Sequence, residues 1–357
     1  MTFRWLKRVF AWSLVGLIVQ LPIYYVLNQQ VQHVMNPPSQ PQSVLSQANN
    51  YKLDAPNIKN PLVSYDDGFL AFHSGSELSI YDFNKQAVIW KSDQSHKVLA
   101  YQWLPDRNAL MIFESGTGVN TNLPGKFGVG IHSLDVTGNQ GEVIDRFASP
   151  LSLSFQNSLI SDVSLSTATN LLYFLVQGQG QSNLYEVDVM KNLKQLNRPG
   201  EDVEYLAVSP TQGTVYFNTA GSSNGQTLAQ NGKSRVQIAS NPLDKVLGLW
   251  NRKLYLGTVE QGYLTKIWTI SDNQPSTKLP DFAVYWEGKI PWDQSSAVSS
   301  MATYGLLVRT EKTLYEVSPQ GSKTLVKGEN SLFSPSGKCY YTYSTDSLGT
   351  SLKRVLL

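Results

Sequence analysis

The chain has 357 residues, of which 29 are basic and 27 acidic, and only 16% are charged against roughly 25% in ordinary soluble proteins. Arg4, Lys7 and Arg8 precede the first apolar run and no acid occurs before Asp54, so the remainder is close to neutral and offers no phosphate-neutralising stripe for DNA or RNA. The single cysteine, Cys339, rules out an internal disulfide framework, and its place beside Tyr340 in an apolar run gives it a packing role.

Residues 1–8 read as a short basic segment, and residues 9–27 contain no charged side chain. A helix of that length spans about 28 Å at 1.5 Å per residue, close to the roughly 30 Å of a hydrocarbon core. Trp5, Trp12, Tyr24 and Tyr25 sit where interfacial aromatics belong, and Pro22 lies where the segment is leaving the apolar zone. With no Lys or Arg after Arg8 until Lys52, the positive-inside rule places the N-terminus in the cytoplasm and the rest outside. A cleaved secretory signal shares this layout, but residues 26–35, which follow Tyr25, hold no small-x-small triplet, so the reading is an uncleaved signal-anchor. Residues 28–50, rich in Gln, Asn, Ser and Pro, form a polar tether with little to bury.

From residue 51 to 357 the chain repeats one pattern seven times: an apolar strand, a tight turn, an aromatic-rich strand, then a third strand often ending in an acid or a small polar residue. The second strands are expected at 68–72, 109–113, 171–175, 214–217, 253–257, 305–308 and 338–341. Third strands follow at 78–82, 129–135, 184–188, 235–240, 266–272, 314–318 and 352–357. Outer strands are expected at 86–90, 142–147, 193–196, 276–279 and 323–326, whereas blade four lacks a clear one and carries a long polar loop at 218–233. Such repeats, each unable to bury both faces alone, predict an all-β, seven-bladed propeller, with six blades as the alternative. The seventh blade is one strand short, and residues 51–54 supply the strand that closes the ring.

Two turns carry a resemblance. Residues 333–338 (Phe-Ser-Pro-Ser-Gly-Lys) before the aromatic run 340–343, and residues 208–213 (Val-Ser-Pro-Thr-Gln-Gly) before 215–217, resemble the Ser-Pro-Asp-Gly-Lys turn of WD40-like repeats in Tol-type periplasmic propellers. Weaker copies stand at 104–108 and 166–170. Proline fixes φ and Gly or Asn supplies a left-handed position, so the resemblance implies a propeller fold and transfers no activity.

Candidate chemistry is sparse. His33, His73, His96 and His132 show no metal-ligand spacing, there is no Gly-x-Ser-x-Gly elbow, and 118–126 lacks the spacing of a phosphate loop. The reading therefore assigns no catalytic residue, no metal and no cofactor. Among first-strand positions at 98–103, 160–165, 203–208 and 246–250, Asp162 and Glu204 are the acids. Residues 282–292 concentrate aromatics in what reads as an insertion between blades five and six, which makes Tyr285, Trp286 and Trp292 the candidate partner contacts, along with the insertions at 115–130 and 218–233.

The sequence thus predicts a single-pass membrane protein whose extracytoplasmic propeller is a protein-binding or scaffolding module of a bacterial-type cell envelope, not an enzyme. Its expected partner is another envelope protein or a cell-wall polymer, with the membrane engaged through the N-terminal helix. The alternative is a propeller enzyme of lactonase, lyase or cyclase type acting at the central channel.

Overall fold

The computed structural model describes Gln20 and residues 50–115, 127–137, 142–146, 151–153, 159–178, 180–221, 225–271, 282–302 and 305–357. The predicted membrane helix at 9–27, Gln20 apart, and the tether lie outside the described residues, within which no helix is long and apolar enough to cross a membrane. The ring belongs to the compact unit Leu45–Leu357.

The first strand, β1 (Asn50–Leu53), precedes blade one, which is built from β2 (Lys59–Val63), β3 (Phe69–Ser74), β4 (Glu77–Asp82) and β5 (Ala87–Lys91). Blade two holds β6 (Lys97–Trp103), β7 (Ala109–Ser115) and β8 (Phe127–Asp135), with β9 (Glu142–Arg146) and β10 (Leu151–Leu153) both on the outer edge of β8. Blade three holds β11 (Leu159–Ser166), β12 (Leu171–Gly178), β13 (Gln181–Val187) and β14 (Leu193–Gln195). Blade four holds β15 (Glu201–Val208), β16 (Val215–Gly221), β17 (Thr227–Asn231) and β18 (Ser234–Ala239). Blade five holds β19 (Asp244–Trp250), β20 (Lys253–Glu260), β21 (Tyr263–Ser271) and β22 (Ala283–Pro291), and blade six holds β23 (Ala297–Ser300), β24 (Leu306–Arg309), β25 (Thr313–Ser318) and β26 (Gly321–Lys327). Blade seven takes β27 (Asn330–Phe333), β28 (Cys339–Thr345) and β29 (Thr350–Leu356) from the C-terminal end and β1 from the other.

Seven sheets of four or five antiparallel strands make this a seven-bladed propeller, and six blades are excluded. The core is divided into seven apolar clusters, one at each seam between neighbouring blades. Second strands are covered on both faces, by the blade before and the blade after, which is why they read as continuous apolar runs: Leu70, Ala71 and Phe72 are all 0% exposed, the first and third against blade seven and the second against blade two.

The closing seam is the most aromatic. Tyr51 pairs with Leu352 across the β1–β29 ladder, its ring lies 4.7 Å from Phe83 of blade one, and Phe83 stacks at 5.3 Å on Tyr341 of blade seven. Thr350 donates to the Ala55 carbonyl at 2.8 Å, so the chain entering blade one is tied to blade seven as well. The turn motif explains itself here. Ser334 and Ser336 donate to the two carboxyl oxygens of buried Asp67 in blade one at 2.6 and 2.5 Å. Gly337 has φ +67 and approaches blade six so closely that a Cβ would stand 2.6 Å from the Ala302 nitrogen. Gly213 in the second motif has φ +66, and a Cβ there would stand 2.8 Å from the Thr169 Oγ1 of blade three, while Tyr173 donates to its carbonyl at 2.8 Å. The motif glycines are therefore needed both for a left-handed turn and for blade-to-blade contact.

Two expected elements differ. In blade four the third strand is β17, inside the stretch read as a loop, and the residues read as the third strand form the outer strand β18. Thr-Leu-Ala-Gln lacks the aromatics of its counterparts and hides among polar neighbours, yet Thr227, Leu228, Ala229 and Gln230 are all buried. In blade five the outer strand is β22, and the expected strand at 276–279 lies outside the described residues.

Because β1 contributes two buried side chains, Tyr51 and Leu53 at 2% exposure each, as well as a full edge of ladder hydrogen bonds, deleting residues 50–53 is expected to lower the melting temperature far more than deleting residues 28–45. Thermal denaturation of the two deletion variants checks this, and equal melting temperatures would contradict closure through β1.

Candidate functional site: the inner-strand cavity

The innermost strand of each blade faces the axis, and five of the seven carry a one-residue bulge at the same stage of the strand. The register slips between Lys59 and Leu62, Val98 and Ala100, Ile160 and Asp162, Glu204 and Leu206, and Val246 and Gly248. The inner strands of blades six and seven pair without a shift. A bulge bends the strand and flips the alternation beyond it, so it re-aims the side chains that follow.

At the bulges of blades one, two and three lies a cavity of about 580 Å³, bounded on its other side by blades six and seven. Its wall combines apolar Leu62, Leu99, Val163 and Leu332 with polar Asn60, His73, Tyr101, Gln102, Ser161, Asp162, Arg309, Asn330 and Tyr343. Tyr101 spans the seam by donating to the Asn60 carbonyl at 2.5 Å, and Trp103 does the same to Leu62 at 2.9 Å, which fixes blade two against blade one beneath the cavity. His73 packs edge-on against Tyr101 at 5.2 Å, and burial holds its imidazole below the usual range, so it is neutral at pH 7.

Two charged groups in this wall lack counter-ions. Asp162 makes no ion pair among the described residues; the surrounding protein desolvates it, and with only the Val163 backbone N–H in opposition its carboxyl is pushed up from 3.8 to about 6. Arg309 donates one guanidinium N–H to the Ser331 carbonyl at 3.0 Å and lies over the Phe333 ring at 5.2 Å, with no acid paired to it. Burial lowers its basicity, though a guanidinium stays protonated. The acids of blade four differ. Glu204 pairs with Lys245 of blade five at 3.1 Å, and Glu201 with Arg235 at 2.8 Å.

The three aromatic contact candidates fall elsewhere. Residues 283–291 are a regular blade strand, not an insertion, and Trp286 and Trp292 are 3% and 9% exposed in the seam between blades five and six. Contact anchors in the free protein need open surface, which these two indoles lack; β22 was obscured because it follows β21 only after eleven intervening residues, 272–282. Tyr285 is half-buried, meets Tyr255 edge-on at 5.4 Å, and lines a second cavity of about 660 Å³ with Lys253, Ser300 and Glu316. Of the other two expected surfaces, 116–126 lies outside the described residues and 218–233 contains β17. Arg309 escaped notice because it is a lone base following the apolar run 306–308 at the end of β24, with no motif around it.

No protein-family model matches this sequence, and no curated protein matches it. Solved structures do match. The beta-propeller domain of Myceliophteria thermophila Cps50 (Swd1) aligns with a TM-score of 0.56 at 13% identity over 86% of this chain and 98% of that one. A chain of the mitotic checkpoint complex gives 0.54 at 13% identity over 90% and 96%, and a chain of Kuenenia stuttgartiensis hydrazine synthase gives 0.53 at 13% identity over 87% and 98%. The chain shares the β-propeller fold with these structures. At such identities the likeness is one of fold alone.

Two expectations follow. The folded state binds the Asp162 proton more tightly than the unfolded chain, so this residue's contribution is fully present below 3.8 and is lost as pH rises through about 6, a difference of at most about 3 kcal/mol that channel water reduces. Asp162→Asn should therefore melt higher than the natural protein at pH 8 and equal it near pH 4, as denaturation at pH 4, 6 and 8 would show. Trp286→Ala should cost roughly 3–5 kcal/mol of unfolding free energy by denaturant titration, as a core truncation does.

Proposed function

We propose that this chain is a membrane-anchored, extracytoplasmic propeller that binds a protein partner as a scaffold of a bacterial-type cell envelope. The observation that carries the reading is the ring itself: seven blades packed through apolar seams form a propeller with a partly polar inner cavity. Rigid scaffolds that display loops are suited to recognition. The uncharged stretch at 9–27, flanked by Arg4, Lys7 and Arg8, supports the anchor and its orientation. The near-neutral body supports a protein or polymer partner over nucleic acid. Among the described residues no three His, Cys, Asp or Glu side chains gather as a metal site. The channel-enzyme alternative, of lactonase, lyase or cyclase type, draws on Asp162, whose carboxyl near 6 is tuned for proton transfer at neutral pH.

Affinity recovery of the full chain from detergent-solubilised membranes after in-cell crosslinking tests the scaffold reading, and protease accessibility of the C-terminal domain in intact spheroplasts tests the topology. The expected result is one stoichiometric envelope protein and a domain cleaved from outside. A domain protected from external protease would overturn the localisation. Turnover of a lactone or uronate substrate that is lost in Asp162→Asn would replace the scaffold with the enzyme.

A further inference from the structure

The inner cavity presents a charge problem that the protein leaves unsolved. Asp162 on blade three and Arg309 on blade six both line it, and neither has an oppositely charged partner among the described residues. Elsewhere in the ring charged groups are compensated by side chains: Glu204 pairs with Lys245 and Glu201 with Arg235, while buried Asp67 accepts from Ser334 and Ser336 and Asp244 from Thr258 and Asn241. Of the five guanidinium N–H groups of Arg309, one meets an acceptor among the described residues, the Ser331 carbonyl. Asp162 receives only a backbone N–H, from Val163.

We propose that this cavity is a binding site for a small zwitterion, an amino acid or short peptide whose ammonium is held by Asp162 and whose carboxylate is held by Arg309. A ligand with one charge is disfavoured, because an anion drawn to Arg309 meets Asp162 and a cation drawn to Asp162 meets Arg309. A neutral ligand that displaced water would leave both groups desolvated and unpaired, which is the costly arrangement. A zwitterion replaces water at both and forms charge-assisted hydrogen bonds at each end. In the same wall, Asn60, Gln102 and Ser161 offer amide and hydroxyl partners for peptide groups, and Leu99 offers apolar cover. The volume of about 580 Å³ lies within the range of small-ligand sites. Glu311 also lines the cavity but is exposed and forms no ion pair, so it sits at the rim and does not neutralise Arg309.

Isothermal titration of the full 357-residue chain tests this with glycine, diglycine, triglycine and tetraglycine, each beside its N-acetyl and C-amide forms. The expected result is saturable 1:1 binding with an optimum at one length, weakened about tenfold or more by blocking either end. An optimum at glycine identifies a free amino acid, and an optimum at a longer member identifies a peptide. In Asp162→Asn, N-acetylation should no longer matter while amidation still does, a pattern that general loss of structure does not produce. Blocked and free probes binding equally well, or no free probe binding at millimolar concentration, would overturn the proposal. The inference goes beyond the scaffold reading and is separable from it: partner recovery uses no peptide probe, and titration uses no partner.

Discussion

Ring closure is the constraint on which the rest of this molecule depends. Each blade buries its apolar faces only against its two neighbours, so an open array of seven would leave one face of blade one and one of blade seven in water, along with an unpaired strand edge. The β1–β29 ladder removes that edge by joining residues about 300 positions apart. The entropic cost of so long a loop grows only logarithmically with length, whereas the return is an entire seam. That seam is the aromatic one, with Phe83 stacked on Tyr341 and tilted against Tyr51, so that three segments of chain meet. Among the described residues, the preceding seam, between blades six and seven, buries Met301, Leu307, Leu314 and Tyr340, with Leu325, Val326, Phe333 and Val355 packed against them.

The turns complete what the seams begin. Apolar packing is tolerant of sliding, but the hydrogen bonds from Ser334 and Ser336 to Asp67, and from Tyr173 to the Gly213 carbonyl, have fixed directions and set one blade's height against the next. Burial raises the Asp67 pKa while the two serine hydroxyls oppose the rise, the balance expected of a carboxylate retained for geometry rather than for net stability.

How much of this is legible in the sequence follows from the same physics. Second strands are covered on both faces and read as apolar runs; Leu70–Phe72 could hardly be anything else. Closure by residues 51–54 was legible from the alternation of Tyr51 and Leu53 and from a seventh repeat lacking one strand. Blade four was misread because β17 has short side chains, and burial of Thr227 and Gln230 depends on neighbours distant in sequence. Trp286 and Trp292 looked like recognition residues because aromatic content is the same in a seam and in a contact patch, and only the fold distinguishes them. The bulges matter most for the site. Alternation assigns faces by period two, and a single extra residue before Asp162, Leu206 and Gly248 reverses the assignment without a composition signal.

The unpaired charges in the cavity are best understood against what stability alone would place there. Asn330, Ser331 and Thr310 stand at the same wall and meet the need for polar cover at little electrostatic cost. An ionised carboxylate and a guanidinium in that wall are each more expensive to desolvate than an amide or hydroxyl, and the ring gains no hydrogen-bonded seam from Asp162 in return. Rigid seams make the expense bearable, since the blades that carry Asp162 and Arg309 are positioned by their neighbours and not by these groups. Strain of this kind concentrates where a protein acts. The two charges thus sit on blades whose positions the seams set, and the zwitterion proposed for this cavity would bring an opposite charge to each.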